Sequence, residues 1–142
     1  MFNFRDQGGD LSCVGQIGVA QVSEFAAMGF RSIVCNRPDA EEGAVPSSVM
    51  AAAAHEHGLA FIYQPVEFSK LGLDDGAAFA ASLDALPQPV LAYCKSGRRS
   101  VALWALARAP SLGVDAVLAA SRACDCELDE LRPLLTLARH AA

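Results

Sequence analysis

The sequence of 142 residues predicts an α/β fold with a central, mostly parallel sheet of four to five strands flanked by helices. Short apolar segments alternate along the chain with segments that carry helical spacing. Right-handed crossovers between parallel strands place all the strand-to-helix loops at one edge of such a sheet. The length fits a single domain over residues 1–142, with a core large enough to fold without disulfides.

In the first half of the chain, two helices separate three strands. The first helix carries Val22, Phe25 and Ala26 at helical spacing, and a glycine ends it. The second is rich in alanine, and Ser47 or Ser48 is expected to be its N-cap. The strands are expected at residues 12–16, 31–35 and 59–63, and the helices at 21–28 and 47–57.

In the second half, Asp74 and Asp75 are placed to cap a helix. Prolines at 87 and 89 then lead into an apolar strand that ends at Cys94. A helix follows this strand, and Pro110 and Gly113 interrupt the chain before two further helical segments. These helices are expected at residues 74–86, 100–108, 114–121 and 127–140.

Composition excludes several classes of function. The net charge of −5 argues against general binding to nucleic acids or anionic membranes, and no apolar run approaches the ~20 residues of a membrane span. The first residues lack the basic and apolar regions of a signal peptide, so a cytoplasmic location is expected. The five scattered cysteines fit neither a disulfide framework nor zinc-ligand spacing. We therefore expect free thiols and no metal or other cofactor.

Cys94 stands where an apolar strand gives way to a glycine-containing turn and a helix. Backbone N–H groups converge with the helix N-terminus at such a place, which binds anions and stabilises a thiolate. The cations Lys95, Arg98 and Arg99 strengthen the positive field. Cys94 is therefore predicted to be a nucleophile that faces an anionic substrate; the alternative is a buried cysteine that merely ends a strand.

The residues after Cys94 have separate expected roles. Gly97 tolerates the unusual backbone angles of a loop that turns its N–H groups inward. The planar fork of Arg99 suits two oxygens of a sulfonate, sulfate or phosphate, and Ser100 could cap the helix or hydrogen-bond the cysteine sulfur. We predict as catalytic residues Cys94, Arg99 and Ser100, and as substrate-binding residues Lys95, Ser96, Gly97 and Arg98.

Two motifs, Asn36-Arg37-Pro38-Asp39 and Tyr93-Cys94-Lys95-Ser96-Gly97-Arg98-Arg99-Ser100, carry a family resemblance. Over about residues 8–125 the chain resembles the beta-lactamase-hydrolase-like domains, whose fold is similar to that of dual-specificity protein tyrosine phosphatases and which are often described as sulfurtransferases. The resemblance implies that the cysteine either attacks phosphorus or accepts a sulfane sulfur. Family relatives are often fused to a persulfide dioxygenase, so a separate enzyme of that kind is an expected partner.

The first motif adds candidates to the substrate site. Arg37 could add positive charge to the pocket, and Asp39 could orient Arg37 or Arg99; Asn36 is counted with them as substrate-binding. The alternative is a surface turn with a local ion pair. Cys35 could resolve a persulfide on Cys94, although core packing explains this residue more simply.

The spacing of the loop separates two chemistries. The families it resembles carry Cys-x5-Arg in tyrosine phosphatases and Cys-x4-Arg in single-domain rhodaneses, and Cys94 and Arg99 have the shorter spacing. A phosphatase also needs an acid to protonate its leaving group; Glu67, Asp74 and Asp75 are available, but the last two are more simply helix caps.

The prediction is therefore a sulfurtransferase that moves sulfane sulfur from thiosulfate or a persulfide donor to a thiol acceptor through a Cys94 persulfide. One alternative is a cysteine-dependent phosphatase that forms a phosphocysteine. The other is a regulatory module that binds an anion without turning it over.

Overall fold

The computed structural model describes residues 3–141. A five-stranded sheet forms its centre. Its strands lie in the order β1-β2-β5-β3-β4; β1 is antiparallel to β2 and all other pairs are parallel. The strands are β1 (Phe4–Arg5), β2 (Leu11–Val14), β3 (Ser32–Cys35), β4 (Ala60–Tyr63) and β5 (Val90–Tyr93). The α/β class and the mostly parallel sheet predicted from the sequence are confirmed.

Helices connect the parallel strands and cover both faces of the sheet. They are α1 (Val19–Ala27), α2 (Ser47–Glu56), α3 (Leu73–Ala85), α4 (Arg98–Leu112), α5 (Val114–Ala123) and α6 (Arg132–Ala141). Short 3-10 turns lie at Phe68–Lys70 and Asp129–Leu131. None of the helices within residues 3–141 has the length and apolar character needed to cross a bilayer.

Two apolar cores lie on opposite faces of the sheet. The strands β3 and β5 are buried along their whole length because they are central and both faces are covered. One core joins the sheet to α3, α4, α5 and α6, and includes Phe79, Trp104, Leu118 and Leu135. The other joins it to α1 and α2, and includes Ile33, Met50, Leu91 and Tyr93.

The register of the parallel strands brings four loops to one edge of the sheet. Tyr93, the last residue of β5, lies opposite both Val14 of β2 and Cys35 of β3, and Cys35 in turn lies opposite Tyr63 of β4. The loops 15–18, 36–46, 64–72 and 94–97 therefore leave the sheet side by side, as predicted. This edge carries the cysteine loop.

Several predicted boundaries are wrong for identifiable reasons. The helix expected to begin at Ser100 begins at Arg98 and continues past Pro110; Gly113, with φ 90°, follows its last residue. The first five residues of the helix expected at 127–140 are irregular or belong to the 3-10 turn, and α6 begins only at residue 132, where Pro133 fits the first turn. The two-residue strand β1 gave no sequence signal.

The helix caps correct one prediction and confirm another. Neither Ser47 nor Ser48 is the N-cap of α2; instead the carboxylate of Asp39 accepts hydrogen bonds from the Ser47 backbone N–H at 2.8 Å and from its hydroxyl at 2.7 Å. Of the two acids predicted to cap α3, Asp75 does so: its carboxylate accepts the N–H of the N-cap residue Gly72 at 2.9 Å.

Candidate active site

The cysteine loop has the strand–turn–helix geometry that the sequence predicts. Cys94 follows β5 directly, and none of its surface is exposed. Gly97 is the N-cap of α4 and has φ 101°, a left-handed conformation that favours glycine. Its N–H donates to the Cys94 Sγ at 3.1 Å. The sulfur therefore lies at the positive end of the α4 dipole, with one backbone donor already directed at it.

Arg99, in the first turn of α4, is held by a carboxylate that the sequence analysis missed. Its Nη1 and Nη2 donate to the two oxygens of Glu41 at 2.6 and 2.9 Å, and Nη1 also donates to the Val66 carbonyl at 3.1 Å. Hydrogen bonding to Glu41 is the main cause that raises the pKa of Arg99, and the adjacent Cys94 sulfur contributes as well. The guanidinium is thus paired with Glu41 and also interacts electrostatically with the thiol.

Two donors of the Arg99 guanidinium remain for a ligand. Of its five N–H bonds, three point to Glu41 and Val66, and among residues 3–141 its Nε donates no hydrogen bond. Nε and Nη2 form one edge of the planar group, so their free N–H bonds run side by side. Such an edge binds two oxygens of a sulfonate or phosphate.

A second guanidinium stands behind Glu41. Arg37, only 4% exposed, donates from Nε to Glu41 Oε1 at 3.0 Å, from Nη1 to Gln16 Oε1 at 3.0 Å and from Nη2 to the Glu42 carbonyl at 2.6 Å. Hydrogen bonding to Arg99, with a smaller contribution from Arg37, holds the pKa of Glu41 below its ordinary value. Glu41 is therefore an anion at neutral pH.

These contacts correct two predicted roles. Glu41, and not Asp39, orients both arginines, because Asp39 is engaged as the cap of α2. The Arg37 guanidinium donates to Glu41, Gln16 and Glu42, and within residues 3–141 it donates no hydrogen bond to the cysteine loop. The sequence places Asp39, Glu41 and Glu42 in the same loop, and their identity alone does not distinguish which carboxylate reaches the arginines.

Asn36 and Ser100 form a buried link between two of the loops. The Ser100 hydroxyl donates to Asn36 Oδ1 at 2.7 Å, and Asn36 Nδ2 donates to the Gln64 carbonyl at 2.9 Å. Neither Asn36 nor Ser100 has exposed surface. The hydroxyl proton of Ser100 therefore goes to Asn36 and not to the sulfur, and the N-cap of α4 is Gly97 and not Ser100. Asn36 positions the loops.

The other cations of the loop point elsewhere. Lys95 is exposed. Arg98 lies over the Phe68 ring at 4.0 Å from its centre, donates to the Glu127 carbonyl at 3.1 Å and pairs with Glu130. The Ser96 hydroxyl accepts the Arg98 backbone N–H at 3.3 Å and so shapes the turn. Of the three predicted cations, Arg99 is the one whose pKa the Cys94 sulfur raises.

The remaining thiols are in less favourable surroundings for nucleophilic attack. Burial raises the pKa of Cys13 and of Cys35, whose thiol donates to the Arg37 carbonyl at 3.3 Å, and it raises the pKa of Cys126 to about 11. Burial also raises the pKa of Cys124. Cys35 belongs to the α1–α2 core, so packing accounts for it.

Comparison with known proteins identifies relatives of this chain. A family model described as the phosphatase-like domain of beta-lactamase hydrolase-like protein matches residues 3–111. A beta-lactamase hydrolase-like protein of Xylella fastidiosa strain Temecula1 is 37% identical over 97 residues. That alignment covers 68% of this chain but 22% of the relative, so the chain spans about a fifth of its length.

Solved structures share the fold. The crystal structure of a candidate phosphatase from Neisseria meningitidis Z2491 superposes with a TM-score of 0.80 at 30% identity, covering 92% of this chain and 94% of the other. Pseudomonas aeruginosa TpbA, in a complex with pTyr, superposes with a TM-score of 0.67 at 14% identity, covering 99% and 94%. At that identity the likeness concerns the fold alone. The phosphatase-like fold is thereby confirmed.

Proposed function

The chain belongs to the family of phosphatase-like domains of beta-lactamase hydrolase-like proteins, and from that premise we propose that it is a sulfurtransferase that carries sulfane sulfur on Cys94. The Cys94 thiolate attacks the outer sulfur of thiosulfate, a new S–S bond forms, and the bond to the sulfonate sulfur breaks with its electron pair leaving on sulfite. An acceptor thiolate then attacks the terminal sulfur of the Cys94 persulfide. The acceptor leaves as a persulfide and the Cys94 thiolate is restored.

The observation that carries the proposal is the pairing of Glu41 with two guanidinium groups. Both of its carboxylate oxygens accept hydrogen bonds from Arg99, one of them also accepts from Arg37, and these contacts lower the pKa of Glu41, so Glu41 is an acceptor here and not an acid. An alkoxide or phenoxide leaving group needs a proton, whereas sulfite leaves as a stable anion. The carboxylate bonded to Arg99 thus supplies no proton, which favours a donor that departs without acid catalysis.

The other residues supply binding. The Gly97 N–H points at the sulfur, and the N-terminus of α4 begins beside it. Together with the free edge of Arg99, these groups would bind the sulfonate of a donor. After the first step, the outer persulfide sulfur would be next to the same donors. We also propose two partners: a thiol that accepts the sulfur, and a separate persulfide dioxygenase.

A phosphatase is the second candidate, and the comparisons favour it. The Neisseria structure carries the description of a candidate phosphatase, and the TpbA structure contains pTyr. The acid in that reaction would be Glu67, which directly follows Val66, the residue whose carbonyl accepts from Arg99. Its exposed carboxylate pairs with Lys70 at 3.0 Å, while Asp75 is engaged as a helix cap.

One experiment separates these functions. Intact-mass measurement after incubation with thiosulfate is expected to show a gain of one sulfur atom, with one sulfite released per chain. The gain should persist in Cys124→Ser, the matched control at a partly exposed thiol, and vanish in Cys94→Ser. With cyanide as acceptor, turnover should produce thiocyanate.

The opposing outcomes are equally specific. Absence of the gain, together with hydrolysis of an aryl phosphate that is lost in Cys94→Ser and reduced in Glu67→Gln, would establish the phosphatase instead. A gain that survives in Cys94→Ser would move the chemistry to another thiol. If neither reaction occurs, the chain is an anion-binding module.

A further inference from the structure

We propose that Glu41 is a positioning residue that acts through Arg99: held by Arg37, it turns the free edge of the Arg99 guanidinium toward the anion beside Cys94. The inference rests on the proposed function only in assigning anion binding to Arg99. It holds for sulfur transfer and for phosphoryl transfer alike.

The stereochemistry of the guanidinium supports this role. Glu41 occupies the edge formed by Nη1 and Nη2, and the Val66 carbonyl occupies the second N–H of Nη1. Within the described residues, the edge formed by Nε and Nη2 has no acceptor and is left for a two-oxygen ligand. Because the arginine side chain has several rotatable bonds, a guanidinium without the carboxylate would not keep this edge in one orientation.

The orientation of Glu41 is itself fixed by Arg37. Arg37 donates to Glu41, to the Gln16 side chain and to the Glu42 carbonyl, and it is almost completely buried. Gln16 lies in the loop after β2, whereas Glu41 lies in the loop after β3. The network therefore connects separate loops of the sheet edge to the first turn of α4.

Charge and geometry predict opposite effects of removing the carboxylate. The network of Arg37, Glu41 and Arg99 carries one net positive charge, so neutralising Glu41 would raise that charge and strengthen the attraction for any anion. It would also release Arg99 from a bidentate, charge-assisted pair, and the two-oxygen contact with the ligand depends on that orientation. We expect the loss of orientation to dominate.

The test measures anion binding without turnover. Inorganic phosphate and sulfate are titrated as protectants of Cys94 against iodoacetamide, in the wild type, Glu41→Gln, Arg99→Lys and the double variant. Glu41→Gln is expected to raise the half-protecting concentration ~tenfold, the size of one charge-assisted hydrogen bond. In the Arg99→Lys background the same change should matter less than about twofold, because lysine has no fork to orient.

Controls and contrary outcomes keep the proposal distinct from the proposed function. Glu56→Gln, at an exposed carboxylate on α2, is the matched control and should not change protection. The rise in unfolding temperature caused by phosphate gives a second readout that does not depend on alkylation. Equal effects of Glu41→Gln in both backgrounds, or tighter binding in Glu41→Gln, would overturn the inference. If no persulfide forms, the protection measurements in the four variants still test the role of Glu41. That failure would count against the proposed sulfur transfer and not against this inference.

Discussion

Replacing Asn36 with alanine tests whether the buried link between the loops stabilises the fold. The change leaves the Ser100 hydroxyl, which has no exposed surface, without its acceptor, and removes the donor to the Gln64 carbonyl. A buried polar group without a partner costs about 1–3 kcal/mol, and the partly buried carbonyl should fall at the low end. We expect Asn36→Ala to lower the free energy of unfolding by about 2–4 kcal/mol, a large share of the ~5–15 kcal/mol typical of a domain.

Urea unfolding followed by circular dichroism measures this loss. With a slope of about 1–3 kcal/mol per molar urea, the midpoint should fall by roughly 1–2 M. Ser100→Ala serves as the partner in a double-mutant cycle, because it removes the donor whose acceptor Asn36 supplies. The double variant should lose less stability than the two single variants added together, by about 1 kcal/mol. A loss below ~1 kcal/mol in Asn36→Ala, or strict additivity, would refute the reasoning.

Three further changes address the loop, the packing and the pH dependence. Gly97→Ala adds a Cβ to a residue in the left-handed conformation, at a cost of about 1–2 kcal/mol. The change should displace the N–H that donates to the Cys94 sulfur and so slow the alkylation of Cys94. An unchanged alkylation rate would contradict this. Gly76→Ala places a Cβ 2.7 Å from the Leu106 Cβ, so the unfolding temperature should fall, and a rise would exclude the clash. The pKa of Glu41 is lowered in the folded chain, so its ion pairs stabilise the fold fully at pH values above 4.5, the ordinary pKa of glutamate. This stabilisation is lost as the pH falls through the lowered pKa of the folded chain. The stability difference between the wild type and Glu41→Gln, measured by unfolding at several pH values, should therefore shrink in acid; a constant difference would count against this assignment.

The architecture follows from local sequence signals because it depends on alternation and on which faces are apolar. Runs such as Val90–Tyr93 are buried on both faces, so a continuous apolar pattern is enough to indicate a central strand. Boundaries were less predictable. Pro110 was expected to break α4, but it lies in the last turn, and the chain leaves the helix only after Leu112, at Gly113.

The site divides in the same way into local and distant parts. Cys94, Gly97 and Arg99 lie within six residues of one another, so their arrangement is set by a single strand–turn–helix unit and is readable from the sequence. Glu41 reaches Arg99 across 58 positions of the chain. Which carboxylate reaches Arg99 depends on the path of the loop between β3 and α2. Asp39 ties that loop to the first residue of α2.

The contacts of Arg98 change the electrostatic account of the thiol. The sequence suggests three cations around Cys94, but Arg98 lies over Phe68 and is held by Glu127 and Glu130. Both glutamates follow residue 111, where the match to the family model ends. The cation–aromatic contact and the hydrogen bond to a backbone carbonyl direct this charge toward the C-terminal segment. The positive groups that remain near the sulfur are therefore the N-terminus of α4 with the Gly97 N–H and the Arg99 guanidinium, a set that suits one small anion.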